Sequence, residues 1–195
     1  MASFLTEEVM FVCDSDMLFV RPLHLSYFEK KPELPLLRSR PIKGHHSAAS
    51  VSFNNHSQKT LGLPSSTKHY DYAFPTVIWR RQTVLDLCEH ISALHRKNWI
   101  AAIYGYRLLS ESTLYGLFVD FIINKGRISE PEENSFIKGM RLSPPLDAQE
   151  LDDFFNLIPP GIFALVIPSP IRFDISVLRE RFSKILRLHQ LNPKY

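Results

Sequence analysis

Apolar residues recur at helical spacing in four stretches of the chain, and these stretches account for most of the predicted secondary structure. One helix is predicted over residues 84–97, because its apolar residues recur every three or four positions and share one face. These residues are Val84, Leu87, Ile91 and Leu94. The same spacing predicts three further helices, over residues 113–124, 148–157 and 175–189.

Residues typical of helix ends flank the first two predicted helices. Thr83 is expected to cap the helix over residues 84–97, and Ser112 is a candidate cap for the next one. Lys125 and Gly126 would end that second helix with a basic last turn and a left-handed glycine.

Short apolar runs predict the strands. Residues 9–20 are interpreted as a hairpin, since two apolar pieces flank an Asp-Ser-Asp turn. Further strands are expected over residues 76–79 and 162–167, the second of them buried on both faces. The apolar run 99–109 fits a buried strand or a buried helix, and the pattern leaves both open.

The predicted fold is α+β. It is a single compact domain with a small mixed sheet, about four helices and a long irregular basic segment over residues 29–74. That segment mixes Pro, Ser, Lys, Arg and His, with residues 51–53 as a short strand candidate, and a loop so long is usually functional or disordered. The predicted divisions are an N-terminal hairpin (1–28), the basic arm (29–74) and the main core (75–195).

Composition narrows the classes of protein to consider. The 195 residues are 45% hydrophobic and 22% charged, as in an ordinary globular protein. No apolar run of membrane-spanning length and no signal-peptide pattern is found, so the expectation is a cytoplasmic or nuclear protein without a membrane partner. Cys13 and Cys88 form no CxxC pair, which gives little support to a disulfide framework or a zinc site.

The charge is unevenly distributed, although the net charge is only +3. Residues 21–107 carry 13 basic and 5 acidic side chains, whereas residues 108–174 carry 5 and 10. Basic side chains with neighbouring aromatic rings are typical of nucleic-acid binding, so RNA binding is the first alternative function, for example in a suppressor of silencing or innate immunity. The residues assigned to it are Lys30, Lys31, Arg38, Arg40, Lys43, Arg80 and Arg81.

A phosphohydrolase is the second alternative. Residues 11–16, FVCDSD, are an apolar strand that ends in D-x-D, and they resemble the first motif of haloacid-dehalogenase-type phosphohydrolases. The resemblance implies Asp14 as nucleophile, Asp16 as acid/base and a magnesium ion held by carboxylates. A polar hairpin turn explains the same residues equally well.

No other catalytic pattern or cofactor site is predicted. Cys88 and His95 would lie two turns apart on a helix with His90 facing elsewhere, which does not favour a metal site. No G-x-S-x-G or S-x-x-K motif occurs. We therefore expect a non-enzymatic protein.

The leading hypothesis is a protein–protein interaction module, because aromatic residues make up 12% of the chain and interfaces favour them. The segment ELPLL, followed by Pro41, resembles the start of F-box-like segments in plant-virus silencing suppressors. Separately, the compact, proline- and histidine-rich composition suggests a viral accessory protein that antagonises a host factor. The partner-binding residues assigned to it are Leu34, Leu36, Leu37, Tyr70, Tyr72 and Phe74. The pattern predicts no oligomeric state.

Overall fold

The structure is a computed structural model, and its described parts form two compact units. It describes residues 6–23, 48–65, 70–106, 108–127, 137–139, 148–167 and 174–191. Unit 1 comprises Met1–Val12 with Ser26–Asn134, and unit 2 comprises Cys13–Leu25 with Ser135–Tyr195. The predicted boundaries at residues 28 and 74 stay a prediction.

The described residues form an α+β fold, as predicted, with the elements listed here in chain order. The first half contains β1 (Val9–Cys13), β2 (Met17–Phe19), α1 (Ala48–Leu61), β3 (Thr76–Arg80), α2 (Arg81–His95) and α3 (Trp99–Ile103). The second half contains α4 (Glu111–Leu117), β4 (Ile137–Gly139), α5 (Ala148–Asn156), β5 (Ala164–Val166) and α6 (Ile175–Leu191). Helix α4 continues as the wider π-helical segment Phe118–Ile123.

The predicted hairpin over residues 9–20 is wrong, because its two strands belong to different sheets. β1 pairs with β3, while β2 joins a sheet in the order β2-β5-β4. β2 runs antiparallel to β5 and β4 runs parallel to it. All three residues of β5 are buried, so its backbone groups have no access to water and are satisfied by pairing along both edges.

Two helices begin at other residues than predicted. α2 begins at Arg81, and its preceding residue Arg80 makes no side-chain cap, so Thr83 lies inside the helix. Ser110, instead of Ser112, caps α4 by accepting a hydrogen bond from the Thr113 amide at 3.3 Å. The left-handed stop at Gly126 is confirmed, with φ at 77°.

The segment predicted as irregular, residues 29–74, contains helix α1, and the strand candidate over residues 51–53 lies within this helix. The apolar pattern gives no sign of α1, because several of its buried side chains are polar. These are Asn54, Ser57, Gln58 and Thr60. For the run 99–109, the structure selects a helix over its first five residues, Trp99–Ile103.

His90 and His95, considered above as metal ligands, instead contact the end of α1. The Nε2 atom of His95 lies 2.8 Å from the Thr60 carbonyl oxygen, and that of His90 lies 3.2 Å from the Leu61 carbonyl oxygen. Carbonyls in the last turn of a helix lack partners within the helix. The two rings on α2 supply those partners and join the two helices.

The core of unit 1 is built around Tyr72, which is only 1% exposed. Its ring lies against the backbone of α4 at Gly116, where a Cβ would lie 2.2 Å from Cδ1 and 2.5 Å from Cγ of the ring. Its hydroxyl donates a 2.7 Å hydrogen bond to Oδ2 of Asp120, which is buried in the π-helical segment. The contact therefore requires a glycine at residue 116.

Replacing Gly116 by Ala is expected to destabilise the protein by about 2 kcal/mol, because the methyl group would overlap the base of a ring that is buried and held at its hydroxyl by Asp120. The measurement is the free energy of unfolding by urea, followed by circular dichroism. Gly161→Ala is the control, since a Cβ there meets nothing within 4 Å. A Gly116→Ala protein as stable as the wild type would contradict this packing, because helix propensity alone would favour Ala by about 1 kcal/mol.

Candidate functional site

An apolar pocket of about 280 Å³ opens in unit 1, and it is lined by residues of β1, β3, α2, α3 and α4. All but three of its lining side chains are apolar. The apolar ones are Met10, Val12, Trp79, Val84, Leu85, Leu87, Ile91, Trp99, Ile103, Leu109 and Leu114. The other three are Cys88, Glu111 and Tyr115.

One wall of the pocket is the apolar face of α2. Val84, Leu87, Cys88 and Ile91 recur at intervals of three or four residues, which places them on one side of the helix. Leu87 and Ile91 are buried and also belong to the core of unit 1. The same stripe therefore supports the core and forms a surface onto which an apolar group can pack.

Aromatic rings form a second part of the lining. Trp79 stacks on Tyr115, with ring centroids 5.4 Å apart and planes inclined by 25°. The Tyr115 hydroxyl accepts a 3.1 Å hydrogen bond from the Arg80 amide, and burial raises the pKa of this phenol. Tyr115 is consequently a neutral, fixed wall. Trp99 completes the aromatic lining, so both tryptophans of the chain border the pocket.

The remaining polar groups offer little chemistry. Burial raises the pKa of the Cys88 thiol, so the thiol stays protonated at neutral pH and is a weak nucleophile. Glu111, in the first turn of α4, is exposed. A neutral thiol, a neutral phenol and an exposed carboxylate among apolar walls suit the binding of an apolar group.

The residues predicted to bind a partner are only partly described. Leu34, Leu36 and Leu37 lie outside the described residues. Tyr72 is a core residue and presents no surface to a partner. Tyr70 and Phe74 are partly buried, and the Tyr70 ring lies 6.5 Å from that of Tyr72.

The residues predicted to bind nucleic acid are also divided. Lys30, Lys31, Arg38, Arg40 and Lys43 lie outside the described residues. Arg80 and Arg81 lie at the junction of β3 and α2, and Nη1 of Arg80 forms a 2.6 Å ion pair with Glu8. The structure thus places two of the seven cations side by side, one of them with an acidic neighbour.

Asp14 and Asp16 lie in the turn between β1 and β2, with Asp14 exposed and Asp16 partly buried. The Asp16 carbonyl oxygen accepts a hydrogen bond from the Ile167 amide at 3.2 Å. Across the described parts of the chain, no group of three or more His, Cys, Asp or Glu side chains is arranged to hold a metal ion. The phosphohydrolase hypothesis for this pair stays a prediction.

Comparison with known proteins adds no family to this picture. No protein-family model, curated protein or solved structure gives a significant match to this chain. Among the helices of the described ranges, none has both the length and the apolar character needed to cross a bilayer. The pocket of unit 1 is therefore the feature from which a function can be inferred.

The pocket is not predictable from the sequence, because its lining residues follow the pattern of a core. The apolar stripe of α2 indicates a buried face. The spacing of its residues does not show whether a cavity lies beside that face. The placement of the two tryptophans, Trp79 just before α2 and Trp99 just after it, is the one feature that could have drawn attention to this place.

The two cysteines are expected to be alkylated at different rates. At pH 8, iodoacetamide should modify the partly buried Cys88 more slowly than the exposed Cys13, because burial raises the pKa of the Cys88 thiol and leaves less thiolate. The Cys88 rate should continue to rise at pH values above about 8.5, the ordinary thiol pKa. Mass spectrometry of peptides measures both rates in one sample. Equal rates at pH 8 would show that the thiol is open to solvent.

Proposed function

We propose that this protein is a non-enzymatic binding protein, and that unit 1 takes an apolar side chain or short apolar segment of a protein partner into its pocket. The observation that carries the proposal is the lining, in which both tryptophans and the apolar stripe of α2 face one cavity. The size of the cavity, its chemistry and the neighbouring surface each support it.

The volume of the pocket fits one or two large side chains. An apolar cavity of about 150 Å³ can hold a benzene molecule, and this pocket is about 280 Å³. Pockets for small molecules commonly measure about 300 to 1,000 Å³ and carry several well-placed polar groups. The present pocket lies just below that range and is poor in such groups, which favours an apolar side chain over a polar metabolite.

Tryptophan and tyrosine are the residues that most often dominate binding energy at protein interfaces, where they line fully desolvated pockets. Trp79 is held by stacking on Tyr115, and Tyr115 is held by the Arg80 amide. A fixed aromatic wall loses little conformational freedom when a partner binds. This preorganisation is favourable for affinity.

Helix α3 and the residue that follows it also expose apolar side chains. Ile100 is 55% exposed and Tyr104 is 87% exposed, while Trp99 and Ile103 from the same stretch line the pocket. An exposed aromatic ring beside a pocket-forming helix is typical of interaction surfaces. We assign these two side chains to the surface that the partner covers.

Filling the pocket is expected to abolish partner binding. Val84→Phe places a ring inside the cavity, whereas Ala93→Phe places the same ring on the exposed face of the same helix. In an affinity capture from cell extract, with nuclease and high salt, the wild type and Ala93→Phe should retain the same stoichiometric protein, and Val84→Phe should lose it. Urea unfolding of both variants provides the check on folding.

Intrinsic fluorescence gives a direct measurement on the purified complex, because both tryptophans line the pocket. The partner should shift the emission of the wild type and of Ala93→Phe. Capture that Val84→Phe retains would contradict the proposal. Loss of every captured protein after nuclease would favour RNA binding through the basic arm, and a fluorescence change with lipid extract alone would identify a small apolar ligand.

The double substitution Ile100→Ser with Tyr104→Ser is expected to weaken partner binding about tenfold or more, since each side chain would lose apolar contact at the interface. Stability should change by no more than about 0.5 kcal/mol per site, because both side chains are exposed. Calorimetric titration of the partner and urea unfolding measure the two effects. Unchanged affinity would show that the partner does not cover α3.

A further inference from the structure

Three cations surround a small cleft in unit 2, separate from the apolar pocket of unit 1. The cleft measures about 120 Å³ and is bordered by Arg21, Arg181 and Lys184. Phe155, Ile158 and Ile185 provide an apolar floor. At about 30 Å³ per water molecule, the cleft has room for about four waters, and so for a small ligand such as a tetrahedral oxyanion.

Protein contacts fix the guanidinium group of Arg21 at the edge of this cleft. Its Nη1 donates to the carbonyl oxygens of Pro159, at 2.8 Å, and Ile162. The Nε atom of Arg21 is buried and has no hydrogen-bond partner among the described residues. One side of the group is thus anchored, and the Nε–H donor is left over.

Arg181 has the same arrangement. Its Nη2 lies 2.7 Å from Oδ1 of Asp152, a charge contact that holds the group in place. Its Nε atom is also buried without a hydrogen-bond partner in the described part of unit 2. Because both Nε atoms have almost no accessible area, a ligand in the cleft would meet these two positive charges through the other nitrogen atoms of the guanidinium groups.

The charges at the cleft leave a positive excess. Arg21, Arg181 and Lys184 are opposed by the carboxylate of Asp152, so two positive charges remain uncompensated among these groups. A phosphate monoester carries close to two negative charges at neutral pH and offers three strong acceptor oxygens. Arginine forks recognise such oxygens through pairs of parallel hydrogen bonds.

We propose that this cleft of unit 2 is a binding site for a phosphate group, held by the guanidinium groups of Arg21 and Arg181 and by the ammonium of Lys184, which border it. The apolar floor would contact the moiety that carries the phosphate. The proposal is independent of the pocket in unit 1, because no residue is common to the two sites.

The test is a titration of the 195-residue chain with inorganic phosphate, observed through the arginine Nε–H signals in nuclear magnetic resonance spectra. The signals of Arg21 and Arg181 should shift together and saturate at one site. Lys184→Gln should weaken binding about tenfold, as expected for the loss of one charged hydrogen bond. The matched controls are Arg179→Gln and Arg187→Gln, which remove the same charge from exposed positions of the same helix and should change affinity less than twofold.

Several outcomes would overturn the proposal. A titration without saturation, or equal weakening by Lys184→Gln and Arg179→Gln, would mean that the cations act only as a diffuse charged surface. Acetate that binds as tightly as phosphate would exclude phosphate as the specific group. If phosphate binds, parallel titrations with O-phosphoserine and a nucleoside monophosphate distinguish a phosphorylated side chain from a nucleotide, since the true source should bind more tightly than inorganic phosphate.

Discussion

The contact between the Tyr72 ring and Gly116 is the constraint on which unit 1 depends. The ring occupies the space that any other side chain at residue 116 would need, and its hydroxyl binds the buried Asp120 one turn further along. Tyr115 directly precedes this glycine, and its ring forms a wall of the pocket. A single close approach therefore positions both the core and the candidate site, because the same turn of α4 serves both.

The polar groups buried around this contact explain why the arrangement is specific. Burying a carboxylate such as Asp120 is unfavourable unless donors satisfy it, and Tyr72 supplies one of them. The end of α1 is fixed in a comparable way by the rings of His90 and His95. Apolar packing tolerates sliding, whereas hydrogen bonds of this kind are satisfied in one register only. Unit 1 uses them to set how its helices meet.

The same physical factors determine which elements could be predicted from the sequence. α2, α5 and α6 were predictable because each turns an apolar stripe towards a core, and this stripe appears in the spacing of residues such as Leu87 and Ile91. α1 was not, because residues such as Ser57 and Thr60 are buried yet polar. Strand pairing was mistaken because alternation specifies which face of a strand is buried and carries no information about the neighbouring strand.

The candidate sites were hidden for a related reason. The pocket of unit 1 is lined by side chains that any core would use, so only their three-dimensional arrangement separates a filled interior from a cavity. The cleft of unit 2 depends on Arg21 and Arg181, which lie far apart in the sequence and have no common motif.

In both sites, the lining groups are already held by the protein. Stacking fixes Trp79, and backbone carbonyls fix Arg21. A ligand would therefore meet groups that have lost much of their conformational freedom during folding, and this cost would not recur on binding. Preorganisation of this kind is a property of the folded chain, which explains why residue type and spacing alone did not reveal it.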